Sequence, residues 1–173
     1  MTKGLLIVYT GEGKGKTTAA LGMAMRAAGH GLKTCFIQFI KGSWRYGEME
    51  AVKRFAGLID FHVMGKGFTR KSADLAEDTR LAQEAWAFAR QAIDSGNYHT
   101  VVLDEFTYLL HYGMLDLDPC LAFLAGRNPG QHVVITGRYA PEPLLAAADL
   151  VTEVRMLKHP LKSGVKAQKG IEF

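Results

Sequence analysis

The sequence predicts a three-layer α/β domain organised around a mainly parallel sheet, and three observations carry that prediction. Apolar, β-branched runs recur along the chain and alternate with stretches of helical periodicity, the pattern of strand–helix–strand units. The first run, LLIVYT, ends in the glycine-rich turn GEGKG, and an alanine-rich helical stretch follows directly. A later run, TVVLDE at residues 100–105, is apolar for most of its length and ends on two carboxylates. That is how a buried parallel strand serves a site at its carboxyl end.

The totals agree with one domain spanning residues 1–173, because 173 residues with 48% apolar and 22% charged side chains can bury a substantial core. No apolar run approaches the length of a membrane span. The first strand begins almost at once, which leaves no room for a signal peptide. Cys35 and Cys120 belong to no metal or redox spacing, so a reduced, cytoplasmic protein is expected. A formal net charge of +4 suits an anionic small ligand. Neither nucleic acid nor a membrane is expected as a partner.

The first strand, turn and helix are the strand–loop–helix context of a phosphate-binding loop. Gly11, Gly13 and Gly15 lack Cβ, so the backbone N–H groups of Gly11, Glu12, Gly13, Lys14 and Gly15 can curl around an anion. Lys16 adds a point charge, and the helix that begins with Thr17 and Thr18 directs its positive end at the phosphates. The Thr17 hydroxyl is placed to ligate a magnesium ion that bridges phosphate oxygens. The usual loop has a glycine five residues before Gly15, where this chain has Thr10. The loop is therefore a variant, and the nucleotide is expected to sit differently in it.

Residues 19–28 keep an apolar helical face, with Met23 and Met25 as packing residues, and Gly29-His30-Gly31 ends the helix. A second strand is expected at 33–40. Its Gln38 lies near the carboxyl end, either as a ligand contact or as a partly exposed edge position. A loop and a short helix fill 43–57, and a third strand fills 58–64. The polar stretch GKGFTRKSAD carries one large apolar residue, Phe68, read either as a substrate contact or as a core anchor. A long helix follows at 72–95, acidic in its first half as its dipole favours.

The fourth strand brings Asp104 and Glu105 to the sheet's carboxyl edge, where such acids hold magnesium directly or through water. HYGMLDLDPCLAFLAGRNPG reads as a turn, a short helix and a glycine-ended connection. The fifth strand, 131–136, runs into Gly137-Arg138, where a guanidinium either clamps phosphate oxygens or makes a surface salt bridge. PEPLLAAADL reads as a helix begun by prolines, and VTEVRML as a last strand. The tail carries Lys158, Lys162, Lys166 and Lys169, either solvated or folded over an anionic ligand. The histidines show no metal-ligand spacing.

Taken together, TGEGKGKTTAALG, IQFIKG, GFT, VVLDE, ITGR and GVKAQKGIEF resemble the ATP:corrinoid adenosyltransferases of the phosphate-loop type, in order along nearly the whole chain. The resemblance implies a fold like that of the phosphate-loop NTPases, RecA-like in layout. It also implies an unusual reaction, in which cobalt(I) of a reduced corrinoid attacks C5′ of ATP and the intact triphosphate leaves. The nucleotide is then held in a reversed sense, in agreement with the variant loop. Lys16 and the glycine amides would stabilise the leaving triphosphate, Thr17 and Glu105 would organise Mg²⁺ with Asp104 behind them, and Arg138 would contact the triphosphate. Phe68 would occupy the lower face of the corrinoid and exclude its axial donor. A flavin or flavoprotein electron donor and a homodimer are further implications.

Two departures bear on the corrinoid contacts. Some relatives carry an N-terminal helical extension, whereas this chain begins almost at its first strand. Some also have a tryptophan where this chain has Arg70. The rival readings are an ordinary phosphate-loop phosphotransferase or ATPase, separable by its ADP product, and a nucleotide-dependent nucleic-acid-binding module, separable by salt-dependent binding.

Overall fold

The computed structural model describes residues 3–42, 46–67 and 75–173. Six strands form one sheet: β1 (Leu6–Thr10), β2 (Thr34–Gln38), β3 (Ile59–Val63), β4 (Thr100–Asp104), β5 (His132–Thr136) and β6 (Leu150–Glu153), in the order β3-β2-β4-β5-β1-β6. Every pairing is parallel, so the sheet expected to be mainly parallel is wholly so among the described residues.

Alternation along each strand sorts the side chains into two cores. Ile7, Phe36, Val102 and Val134 face the helix α1 (Lys16–Gly29), which presents Ala20, Ala24 and Ala28. These alanines recur every fourth residue, so one face of the helix is smooth and lies close against the sheet. Leu6, Val8, Cys35, Ile37, Val101, Leu103, Val133 and Ile135 point the other way. They are covered by α3 (Leu75–Asp94), α4 (Phe106–His111), α5 (Leu117–Ala125) and α6 (Glu142–Ala147). The short α2 (Gly47–Ala51) continues into a 3₁₀ turn, Val52–Phe55, on the α1 side. This is the expected three-layer arrangement.

Several expectations are corrected. Met25 is exposed, because it lies on the side of α1 away from the sheet, whereas Met23 packs and accepts a contact from the Tyr9 hydroxyl at 3.2 Å. β2 ends at Gln38 rather than at 40, and Gln38 is fully buried on an interior strand rather than at an edge. β6 is a four-residue, exposed edge strand. The six-residue α4 begins two residues after β4 ends and was not expected, since FTYLLH is too short to show a helical period and is rich in strand-forming types.

The strand order decides where the site falls. β4 lies between β2 and β5, with Gln38 level with Asp104, and β1 lies beside β5, with Tyr9 level with Thr136. The carboxyl ends of these four strands therefore meet at one edge, where open α/β sheets bind ligands.

Candidate active site

After β1 the chain turns through Gly11, at φ 95°, into a loop that closes at Gly15, at φ 111°, the N-cap of α1. Both angles are left-handed and favour glycine. Gly13 is required by close approach instead: its N–H donates to the Val154 carbonyl at 2.7 Å, and a Cβ there would meet that oxygen at 2.7 Å. Val154 N–H donates in turn to the Thr10 carbonyl at 2.8 Å, so the chain leaving β6 backs the loop. Lys16 Nζ sits inside the loop and donates to the carbonyls of Gly11 and Gly13, each at 2.6 Å. Burial and then the charge of Arg138 pull the Lys16 ammonium below its usual range, against the opposing pull of Glu12, Glu105 and Asp104.

Asp104 is completely buried at the end of β4. Its Oδ1 accepts from the Thr17 hydroxyl at 2.8 Å and from the Thr136 hydroxyl at 2.6 Å, and its Oδ2 accepts from Gln38 Nε2 at 3.0 Å. Burial pushes its carboxyl upward, while these bonds and the charge of Lys41 pull it back. The next residue, Glu105, has φ 64°, one of two left-handed non-glycine residues among those described. A non-glycine residue holds such an angle where its surroundings enforce it. Here the Glu105 N–H donates to the Thr136 hydroxyl at 2.9 Å, and α4 starts immediately after. The turn leaves Asp104 beneath the loop and brings Glu105 to the cavity wall.

Gly137, at φ 138°, lets β5 run close to α4: a Cβ there would lie 2.1 Å from the Thr107 hydroxyl, which donates to the Arg138 carbonyl at 2.5 Å. The Arg138 guanidinium makes the salt bridge that was one of its two expected roles, pairing with Glu12 at 3.1 Å, and it lines the cavity.

The cavity has a volume of about 470 Å³, within the range of small-molecule sites. Gly13, Lys14, Gly15, Lys16, Thr17 and Thr18 form one wall, with Glu105 and Arg138 beside them. Gly11 and Glu12 act from behind, the first through its carbonyl on Lys16 and the second through Arg138. Phe68 and Arg70 lie outside the described residues.

Three features were missed from sequence. Lys41 lines the cavity, bonds Glu48 at 2.8 Å and stands 4.4 Å over the Tyr46 ring. Burial works against its charge, but Glu48 and the site carboxylates outweigh that and hold it above its usual range. Its signals were a position just past an apolar strand and its place in the motif IQFIKG. Thr136, which ties Asp104 to Glu105, was read only as the strand's end. The tail divides: its four lysines are exposed, while Gly170, Ile171, Glu172 and Phe173 line the cavity, with Glu172 bonded to Lys14 at 2.6 Å.

Glu105 yields a pH prediction. Burial, reinforced by Asp104, raises its carboxyl from the ordinary glutamate value of 4.5 to about 7, against the pull of Lys41, Lys16 and Arg138. A raised carboxylate means that the folded state binds the proton more tightly than the unfolded one. Stability should therefore be highest below about pH 4.5 from this group and should decline as pH rises to about 7, by on the order of 3 kcal/mol at most. Denaturant unfolding of the metal-free protein at both ends of that window should show the decline, and Glu105→Gln should flatten it. An unchanged slope in the variant would assign the titration to another group.

A family model described as ATP:corrinoid adenosyltransferase BtuR/CobO/CobP matches residues 2–173. The chain belongs to that family. Its relatives among the corrinoid adenosyltransferases include one from Pseudomonas aeruginosa, 46% identical over 99% of this chain and 84% of that protein. Another, from a Sinorhizobium species, is 44% identical over 99% of this chain and 81% of that protein, and one from Escherichia coli is 42% identical over 99% and 86%. The adenosyltransferase fold is also similar to the crystal structure of the flagellar accessory protein FlaH from Methanocaldococcus jannaschii, with TM-score 0.58, 14% identity, and coverage of 88% of this chain and 72% of that one. At that identity the likeness concerns the fold alone. No helix among the described residues is long and apolar enough to cross a membrane.

Proposed function

We propose that this chain, acting as one domain, transfers the 5′-deoxyadenosyl group of ATP to the cobalt(I) of a corrinoid and releases triphosphate intact. The observation that carries the reading is the distribution of charge in the cavity. Lys14, Lys16 and Arg138 converge with the N-terminus of α1 on the glycine loop, while the carboxylate Glu105 stands beside Thr17. Negative charge that builds on a departing triphosphate meets donors already in place, which is the efficient form of electrostatic catalysis. Cobalt carries no proton to be removed, so the reaction needs no general base. Glu105 is accordingly assigned to metal binding and not to proton transfer.

The donor set fits magnesium. The Thr17 hydroxyl and the Glu105 carboxylate are among the groups that line the cavity, and Asp104 accepts from that hydroxyl from below. Mg²⁺ characteristically takes few protein ligands and completes its shell with phosphate oxygens and water. When bound with ATP it would neutralise charge on the triphosphate oxygens. Thr17 and Glu105 would hold it, Lys16 and the loop amides would hold the phosphates, and Arg138 would close that side.

Electrons for cobalt reduction come, in this reading, from an external flavin or flavoprotein. Both cysteines are buried away from the cavity, with thiols pushed up to about 12 for Cys35 and about 11 for Cys120, so neither is poised for redox chemistry. Buried free thiols also suit a reduced, cytoplasmic setting. A homodimer is the expected assembly, and the exposed Leu150 and Val151 on the edge strand β6 support it by offering apolar surface to a second copy.

Phe68 is proposed to cover the lower face of the corrinoid. Removing an axial donor lowers the cobalt orbital that must accept the electron and raises the reduction potential. Phe68→Ala should therefore impair adenosylation from cobalt(II) with a mild reductant far more than from pre-formed cobalt(I). Equal losses from the two would make it a packing residue. The overall reading is tested by anaerobic incubation with ATP and chemically reduced cobalamin, followed by the corrinoid spectrum. A cobalt–carbon product is expected, and a spectrum unaltered by ATP would refute the assignment.

A further inference from the structure

We infer that Gln38 is a positioning residue for the metal side of the site: its amide fixes the Asp104 carboxylate and, through it, the Thr17 hydroxyl. The inference deepens the proposed function and rests on the reading that Thr17 and Glu105 hold Mg²⁺.

Geometry carries it. Gln38 and Asp104 are level partners on adjacent parallel strands, and the backbone is tied there too, since Phe39 N–H donates to the Asp104 carbonyl at 3.1 Å. The two Asp104 oxygens are not equivalent. Oδ1 takes both hydroxyls, Thr17 and Thr136, while Oδ2 takes the Gln38 amide at 3.0 Å. Hydroxyls rotate to follow an acceptor, so the two threonines alone leave the carboxylate free to swing about its last bond. The Gln38 amide is planar and held on a buried strand, and it sets the angle of the carboxylate plane. That angle in turn aims the Thr17 hydroxyl at the cavity.

Burial separates this role from ordinary packing. Gln38 has no exposed surface, and its neighbours along the chain, Phe36, Ile37 and Phe39, are all buried and apolar. An apolar side chain would fill such a position without polar cost. The amide instead leaves its Oε1 buried with no hydrogen-bond partner in the protein. Burying an unpaired acceptor is unfavourable, and the only return visible is the bond to Asp104. Groups that orient metal ligands from behind commonly change metal affinity about 10- to 100-fold when removed.

The test is calorimetric and needs no turnover. ATP binding is measured with Mg²⁺ and with a chelator, for the wild-type chain and for Gln38→Met, which keeps the volume but cannot donate. Affinity for metal-free ATP should stay within about twofold, while the enhancement conferred by Mg²⁺ should fall by about tenfold or more. The melting temperature should move by no more than about 3 °C, since the lost bond and the removed orphan acceptor act with opposite sign and similar size. Gln38→Glu, read in parallel, repels Asp104 and should lose at least as much of the enhancement. In a Thr17→Val background the Gln38→Met effect should vanish, because both act through one hydroxyl. Equal losses with and without Mg²⁺ would show a structural role and overturn the inference, as would an undiminished enhancement. A wild-type chain with no Mg²⁺ enhancement would instead overturn the magnesium reading on which the inference stands.

Discussion

Replacing Lys16 with alanine should lower kcat/KM for adenosylation of pre-formed cobalt(I) by about 10²- to 10³-fold, the usual consequence of removing one pre-organised charge-stabilising donor. The ammonium is already inside the loop, 2.6 Å from two of its carbonyls, so little reorganisation precedes its meeting with phosphate oxygens. It is also half-buried, where a charge interaction is stronger than in water. The leaving triphosphate carries more negative charge than the same group esterified in ATP. The interaction therefore strengthens toward the transition state, and kcat should fall by more than ATP affinity does. Lys16→Arg should not rescue, because a planar fork cannot occupy a pocket built for a point donor between two carbonyls. Steady-state kinetics with both substrates varied decide it. Unchanged kcat/KM in the alanine variant would remove the loop from the mechanism.

Asp104→Ala is the second large expected effect. Three donors lose their acceptor at once: the hydroxyls of Thr17 and Thr136 and the amide of Gln38. Bonds to a carboxylate contribute about 1.5–3 kcal/mol each, and relief from burying the charge returns part of the total, so a net destabilisation of about 3 kcal/mol is expected. Mg²⁺-dependent ATP affinity should fall by about 10- to 100-fold. Asp104→Asn separates the two effects. With Gln38 flipped, its oxygen meets the new amide and one buried orphan atom is exchanged for another, so stability should largely recover. The lost charge leaves metal-dependent affinity low. Recovery of both together would mean that Asp104 only holds the fold.

Much of this was legible in the residues because it is local. A β-branched run, three glycines, Lys16 and Thr17 sit in consecutive positions, and nothing distant is needed to place them. Glu105 and Arg138 could be assigned to the same edge because each follows a buried strand in an alternating α/β chain. The polar network behind them was not legible. Gln38, Asp104 and Thr136 become neighbours only through the strand order β2-β4-β5, which periodicity does not specify. Gln38 was for that reason left between edge and ligand positions, and it is neither. The bond from Lys14 to Glu172 joins the loop to the last residues of the chain, whereas the tail's composition, which allowed a solvated tail or one folded over an anionic ligand, pointed to its lysines and not to Glu172. The φ of Glu105 was hidden as well, since a glutamate gives no local sign of a left-handed turn.

The central claim is that the loop binds a leaving group and leaves the phosphorus bonds intact. Phosphate products analysed by ³¹P NMR, beside the cobalt–carbon product from the same anaerobic reaction, test it most directly. The account predicts one triphosphate for each cobalt–carbon bond formed, and ADP with orthophosphate as the primary products would contradict it.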